Sequence, residues 1–345
     1  MKNILITLTF LLYLCFCISS CTDPGKDIPE KKDHLIDGTD GIKLHVREIY
    51  FKDRNASDIP PLLMVHGGGP GAVASFDLDV PGGSLATDIA RKGPKVYIMN
   101  IRGWEKSTLP EYDLSDSTLI VGNYRDAGKD INSVIDFIRE RDAVEKVSYF
   151  GWATGGHWGG YYATLHPDKL AHFISLNSLY GTDAPWELKP YFQSEKDSSR
   201  YNKQGFFRKS VKNALTRKWT STIPTEAKEE WRDPEIAKAY RETAVKLSTL
   251  RDTMLVPGGY REESFYMSNG KKYWDAGDIS TPSLIIRSAL DFWSRPDDLK
   301  AIDKDLNIEK KRIITIPGTH YLFLDRPERG RNRLIEEIVD FTEKY

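Results

Sequence analysis

The residues able to do chemistry fall in four short stretches: His66-Gly67-Gly68-Gly69-Pro70-Gly71, Gly151-Trp152-Ala153-Thr154-Gly155-Gly156, Leu290-Asp291 and Pro317-Gly318-Thr319-His320. Glycines on both sides of one residue let the chain reverse so sharply that the residue between them stands at the tip of the turn. A nucleophile at such a tip, a histidine to take its proton, a carboxylate to orient the histidine and backbone N–H groups to receive a negative oxygen are the working parts of acyl transfer. The tip residue here is Ala153, whose methyl group cannot attack a carbonyl. Each stretch alone has a plainer reading. Gly151 and Gly155 could serve only helix–strand packing, His66 could end a strand, Asp291 could cap a helix near Ser294-Arg295-Pro296, and His320 could lie in any loop.

The elements that must position these residues are legible in the hydrophobic pattern. Residues 61–65, 95–100, 147–150, 170–176, 282–288 and 311–316 read as strands, several of them continuous apolar runs suited to burial on both faces. Residues 42–47 alternate like an exposed early strand. Ile131, Val134, Ile135 and Ile138 give residues 123–141 one apolar helical face; a second helix spans 155–166 before Pro167, and a closing one runs from about 328 to 345. This alternation predicts an α/β fold, a mostly parallel sheet with helices on both faces. It breaks over 181–278, which is polar, aromatic and helical in pieces, as expected of an inserted and mainly helical cap between core segments 37–180 and 279–345. Trp152, Trp186, Trp219, Phe265, Tyr266, Phe292 and Trp293 are candidates to line a substrate pocket beneath it.

Read in order, glycine-rich turn, tip residue, acid and histidine stand at the C-terminal ends of predicted strands, where an open α/β sheet places its site. On these motifs and on Arg102-Gly103 the chain resembles the α/β-hydrolase superfamily, in its capped branch related to the proline iminopeptidases and their esterase relatives. The resemblance implies a serine hydrolase, a carboxylic ester deacylase working through an acyl-enzyme, with serine expected at 153. It implies Asp291 and His320 as acid and base, the N–H groups of Thr154 and of Gly68 or Gly69 as oxyanion hole, and His66 and Pro70 as supports of that loop. No cofactor or metal is implied. The substrate would be a small ester or amide with an apolar or aromatic portion. Three explanations for Ala153 stand open: a serine replaced by alanine, leaving an inactive form; a natural pseudoenzyme that binds a ligand in an inherited pocket; or another residue, such as Thr154, doing the chemistry. An aminopeptidase-type amide hydrolase is the alternative activity, and would need cap carboxylates to hold an α-ammonium.

Acidic and basic residues balance at 50 against 49, which implies no nucleic-acid partner. Lys2, the apolar run from Ile4 to Ile18 and the ending Ile18-Ser19-Ser20-Cys21 predict a signal peptide over 1–20 and a lipid anchor on Cys21 in the manner of a bacterial envelope lipoprotein. Residues 21–36 would tether the domain to the membrane. The three cysteines, Cys15, Cys17 and Cys21, all fall in this leader region, so the mature domain would rely on its core rather than on disulfides.

Overall fold

In a computed structural model of the chain, residues 28–52, 59–248 and 250–345 are described. The leader and Cys21 lie outside them. The chain runs through β1 (Glu30–Asp37), β2 (Lys43–Tyr50), β3 (Leu62–Val65), α1 (Ala72–Phe76), α2 (Leu85–Ala90), β4 (Val96–Met99), α3 (Tyr124–Asp142), β5 (Val147–Trp152), α4 (Thr154–Leu165) and β6 (Leu170–Leu176). It then leaves the sheet for α5 (Lys189–Phe192), β7 (Phe207–Val211), α6 (Arg217–Thr222), α7 (Pro234–Lys246), β8 (Thr253–Pro257) and α8 (Gly259–Ser268). It returns through β9 (Ser283–Leu290), α9 (Pro296–Asp305), β10 (Lys311–Thr319) and α10 (Arg331–Lys344).

Among the described residues the main sheet has eight strands in the order β1-β2-β4-β3-β5-β6-β9-β10. β1–β2 and β2–β4 pair antiparallel and the rest pair parallel. β3 and β4 are buried along their whole length, as strands covered on both faces must be. The expected α/β architecture is present, with the inserted region between β6 and β9. That insertion is not all helix: β7 and β8 pair as an antiparallel ribbon from Phe207↔Pro257 to Val211↔Thr253.

β1 corrects the reading of residues 30–36 as part of a tether, because Glu30–Asp37 pairs along its full length with β2, while residues 21–27 of that reading lie outside the described residues. Its sequence hides this, being charged on both faces. Several of the charges also find partners in the fold: Lys31 with Asp77 at 2.6 Å, Asp33 with Arg47 at 2.6 Å, and His34 with Glu48 at 3.0 Å. The closing helix starts at Arg331, after a 3-10 turn at Pro327–Arg329.

Arg102 fixes the loop that leaves β4. Its buried guanidinium meets the buried Asp130 of α3 at 2.6 Å, and its Nη1 reaches Asp40 at 2.9 Å. Removing one partner strands the other charge out of water. Asp130→Ala should therefore cost about 3–5 kcal/mol in urea unfolding; a cost below about 1 kcal/mol would show that the loop does not depend on this pair.

Candidate active site

The β5–α4 reversal puts Ala153 at φ 51°, ψ −113°, a backbone that residues with a Cβ avoid. The neighbours leave the turn no room to relax. A Cβ on Gly151 would sit 2.4 Å from the Gly155 carbonyl, and one on Gly155 would sit 2.5 Å from the Val65 oxygen. Gly156 is pressed against Ser175 in the same way, since a Cβ on it would sit 2.4 Å from the Ser175 Oγ. The Ala153 N–H donates to the Leu176 carbonyl at 2.7 Å, tying the tip to β6. Its own carbonyl accepts from the N–H groups of Gly156 and His157, which starts the helix.

The loop after β3 lies against this tip, since a Cβ on Gly67 would come within 3.3 Å of the Ala153 methyl. His66 is buried in it. Its Nε2 accepts from the Ile101 N–H at 3.2 Å, so its Nδ1 carries the proton donated to the Gly67 carbonyl at 2.6 Å. Burial pushes its pKa down to about 4, keeping the ring neutral and structural. The N–H groups of Gly68, Gly69 and Thr154 have no acceptor among the described residues. Thr154 opens α4, where the first N–H groups lack intrahelical partners and the helix dipole favours a negative oxygen.

His320 follows β10, and its Nδ1 faces Asp291 Oδ1 at 2.6 Å. An ionised carboxylate only accepts, so this contact places the proton on Nδ1 and leaves Nε2 with its lone pair. Asp291 is held in turn by the Trp293 N–H at 3.0 Å, the Ser294 N–H at 2.8 Å and the Ser294 hydroxyl. It thus braces the turn before α9 while also meeting the histidine; Arg295 takes the cap position of that helix. Two residues hold the His320 backbone, Asn177, which has no distinctive sequence signal, and Trp152 of the tip motif. Asn177, at φ 57°, donates to the His320 carbonyl at 3.1 Å and accepts from the Ser288 N–H at 2.6 Å. The Trp152 indole donates to the same carbonyl at 3.1 Å.

These parts open onto a cavity of about 210 Å³ lined by Gly67, Gly68, Gly69, Pro70, Trp152, Ala153, Thr154 and His320 on the core side. Of the aromatic candidates, Trp152, Phe292 and Trp293 line it. Trp186, Trp219, Phe265 and Tyr266 do not, and this corrects the sequence reading. Trp186, Phe265 and Tyr266 pack in a separate cluster around Leu179 and Met267. Trp219 is fully buried, stacked on Tyr321 at 4.9 Å, with its indole N–H given to Asp325 at 2.9 Å. Sequence reasoning missed the cap residues that do face the cavity, above all Arg208, Tyr240, Tyr260 and Arg261. Tyr321 also lines it and had a signal, its place directly after His320. Among the described residues no group of three or more His, Cys, Asp or Glu side chains is arranged to hold a metal.

Two expected outcomes follow from this geometry. Ala153→Gly removes the Cβ from a strained backbone and should stabilise the protein by about 1 kcal/mol in chemical unfolding; a loss of stability would mean that the turn is not strained. Burial pushes the Asp325 carboxyl up to about 6, so the native chain keeps a proton that the unfolded chain releases near 3.8. Its contribution is full below the unfolded value and is lost as pH rises through about 6. Stability measured against pH should fall by roughly 3 kcal/mol more across this window than in Asp325→Asn; parallel curves would contradict it.

A family model described as the alpha/beta hydrolase fold matches residues 60–327. No curated protein matches. Among solved structures the chain is similar to a mutant epoxide hydrolase of potato, at 14% identity over 92% of this chain and 100% of that one, with a TM-score of 0.61. It is similar to a thermophilic esterase from Thermogutta terrifontis at 18% identity over 91% and 98%, TM-score 0.56. It is similar also to the naproxen esterase of Bacillus subtilis at 16% identity over 90% and 92%, TM-score 0.56. At such identities the structural likeness speaks for the fold, and the family match covers most of the chain: the protein belongs to the α/β-hydrolase fold family.

Proposed function

We propose that this chain carries the site of a small-molecule ester hydrolase from which one atom, the nucleophilic oxygen at position 153, is missing. The observation that carries the reading is the strained tip at φ 51°, ψ −113°, kept beside a His320–Asp291 pair 2.6 Å apart. With serine at 153, its hydroxyl attacks the ester carbonyl while His320 Nε2 takes the proton. Asp291 holds the ring and stabilises the imidazolium. The tetrahedral oxygen is met by the N–H of Thr154 and of Gly68 or Gly69. The histidine returns its proton to the leaving alcohol, and a water molecule then hydrolyses the acyl-enzyme by the same route. As the chain stands, with alanine there, it binds such an ester and does not turn it over. Thr154 does not stand in: its Oγ1 is buried with no hydrogen-bond partner, so no base activates it.

An ester is favoured over an N-terminal amino-acid amide because the cavity lining contains no Asp or Glu to receive an α-ammonium. This supports the esterase reading of the resemblance over the iminopeptidase one. The size of the cavity, about 210 Å³, suits a small substrate. In the same reading residues 181–278 are the cap over the site, and the protein acts at a bacterial cell envelope as an exported lipoprotein anchored through Cys21, on the strength of the leader sequence. Among the described residues no helix is long and apolar enough to cross a membrane.

Restoring the oxygen is the direct experiment. Ala153→Ser should create measurable hydrolysis of short acyl esters, and adding His320→Ala should return the rate to that of the starting chain, a loss on the order of 10⁴–10⁶-fold. A folded Ala153→Ser protein inert on every member of an ester panel would count against the hydrolase reading and leave a ligand-binding pseudoenzyme.

A further inference from the structure

The cap contributes cations to a cavity whose lining has no carboxylate. Arg208 on β7 lines the cavity at partial burial, with its Nε given to Ser210 Oγ at 3.0 Å and its Nη1 to the Tyr260 hydroxyl at 2.6 Å. Among the described residues no carboxylate lies within 4.0 Å of it, and its Nη2 has no partner. Its remaining contact, to the Gly68 carbonyl, is 3.5 Å, too long to explain the residue as a brace for that loop. Arg261 also lines the cavity and likewise has no ion-pair partner among the described residues; its guanidinium lies 4.8 Å from the centre of the Phe192 ring. Lys218, the third cation, is neutralised at 2.9 Å by Glu187.

Tyr260 sets where the free donor stands. Its ring is pressed on Gly68, so closely that a Cβ there would fall 2.2 Å from the ring. Arg208 is therefore held beside the oxyanion loop, yet on a cap strand. A guanidinium drawn out of bulk water without a counter-charge is costly, and a planar oxyanion is the group its fork of donors fits.

We propose that the ligand of this cavity carries a free carboxylate, received by Arg208 next to the Tyr260 hydroxyl, so that the substrate class is a small ester that is also an acid, as in the half-ester of a short dicarboxylic acid. This deepens the ester reading of the site and rests on it for the identity of the second group. The carboxylate is held by Arg208 of the cap while the ester carbonyl lies at Ala153, and Trp152, Tyr240, Phe292 and Tyr321 also line the cavity. The same arrangement excludes a ligand with an ammonium group, which would face two unpaired guanidinium groups.

The test is calorimetric binding of two nearly isosteric ligands, monomethyl glutarate and dimethyl glutarate, to the chain as it stands. The half-ester should bind at least about tenfold tighter, the difference of one charge-assisted contact. Arg208→Gln should bring the ratio close to one, while Arg261→Gln should keep most of it. Arg208→Met, which retains the aliphatic stem, serves where Arg208→Gln does not fold. Equal affinities on the unmodified chain, no binding of either ligand, or a ratio unchanged in the Arg208 variant would overturn the proposal. The outcome is separable from turnover. Hydrolysis by Ala153→Ser with no preference for the acid would sink the carboxylate site alone, and tight half-ester binding with no turnover would sink the hydrolase reading alone.

Discussion

The structure depends on the close approach of β5 and α4 around Ala153. Gly151, Gly155 and Gly156 are each in contact tighter than a Cβ permits, with backbone of the turn, with the end of β3 and with β6. That contact forces the tip into a backbone region an alanine does not choose. Everything else at the site is referred to this point. The β3 loop lies on the tip, Trp152 reaches from the residue before it to hold the His320 carbonyl, and Thr154 presents the first free N–H of the helix. Such strain is ordinarily kept because a side chain must be displayed there. Here the display is intact and the displayed group is a methyl.

The histidine is positioned from three directions. Asp291 fixes the ring, Asn177 and Trp152 fix the carbonyl, and Asp325 accepts from the N–H of the preceding Thr319 at 2.7 Å. Asp325 also takes the Trp219 indole from the cap, so the cap and the His320 loop share one buried carboxyl. The cap therefore supplies the cavity with walls, with cations and with part of the support for the base. The charged cap residues that line the cavity, Arg208, Lys218 and Arg261, are all positive, and this is the ground of the proposed preference for an acid-bearing ester over an amino-acid amide.

Much of the core was legible because its strands are apolar on both faces and its turns are punctuated by glycine. Residues 61–65 and 147–150 could be read as buried strands, and the order of tip, acid and histidine followed from where 147–150, 282–288 and 311–316 end. The failures share a physical cause. β1 is charged on both faces, so no alternation marks it; its partners come from β2 and from Asp77. The β7–β8 ribbon joins segments some forty residues apart in a region without period, and Arg208 was lost with it. Aromatic identity did not tell cavity walls from core: Trp219 and Phe265 are buried in packing, whereas Phe292 and Trp293, next to Asp291, face the ligand space. Side chains that meet only when the cap docks leave no local trace in sequence.

On the proposed reading a single oxygen separates this chain from a working acyl-transfer site. Intact-protein mass spectrometry with peptide mapping after exposure to a small fluorophosphonate, a reagent that an activated serine hydroxyl attacks with loss of fluoride, is the sharpest test. The account predicts one adduct per chain on the Ala153→Ser protein, mapped to position 153, and none on the unmodified chain. A folded Ala153→Ser protein that stays unlabelled, or a label that maps elsewhere, would contradict it.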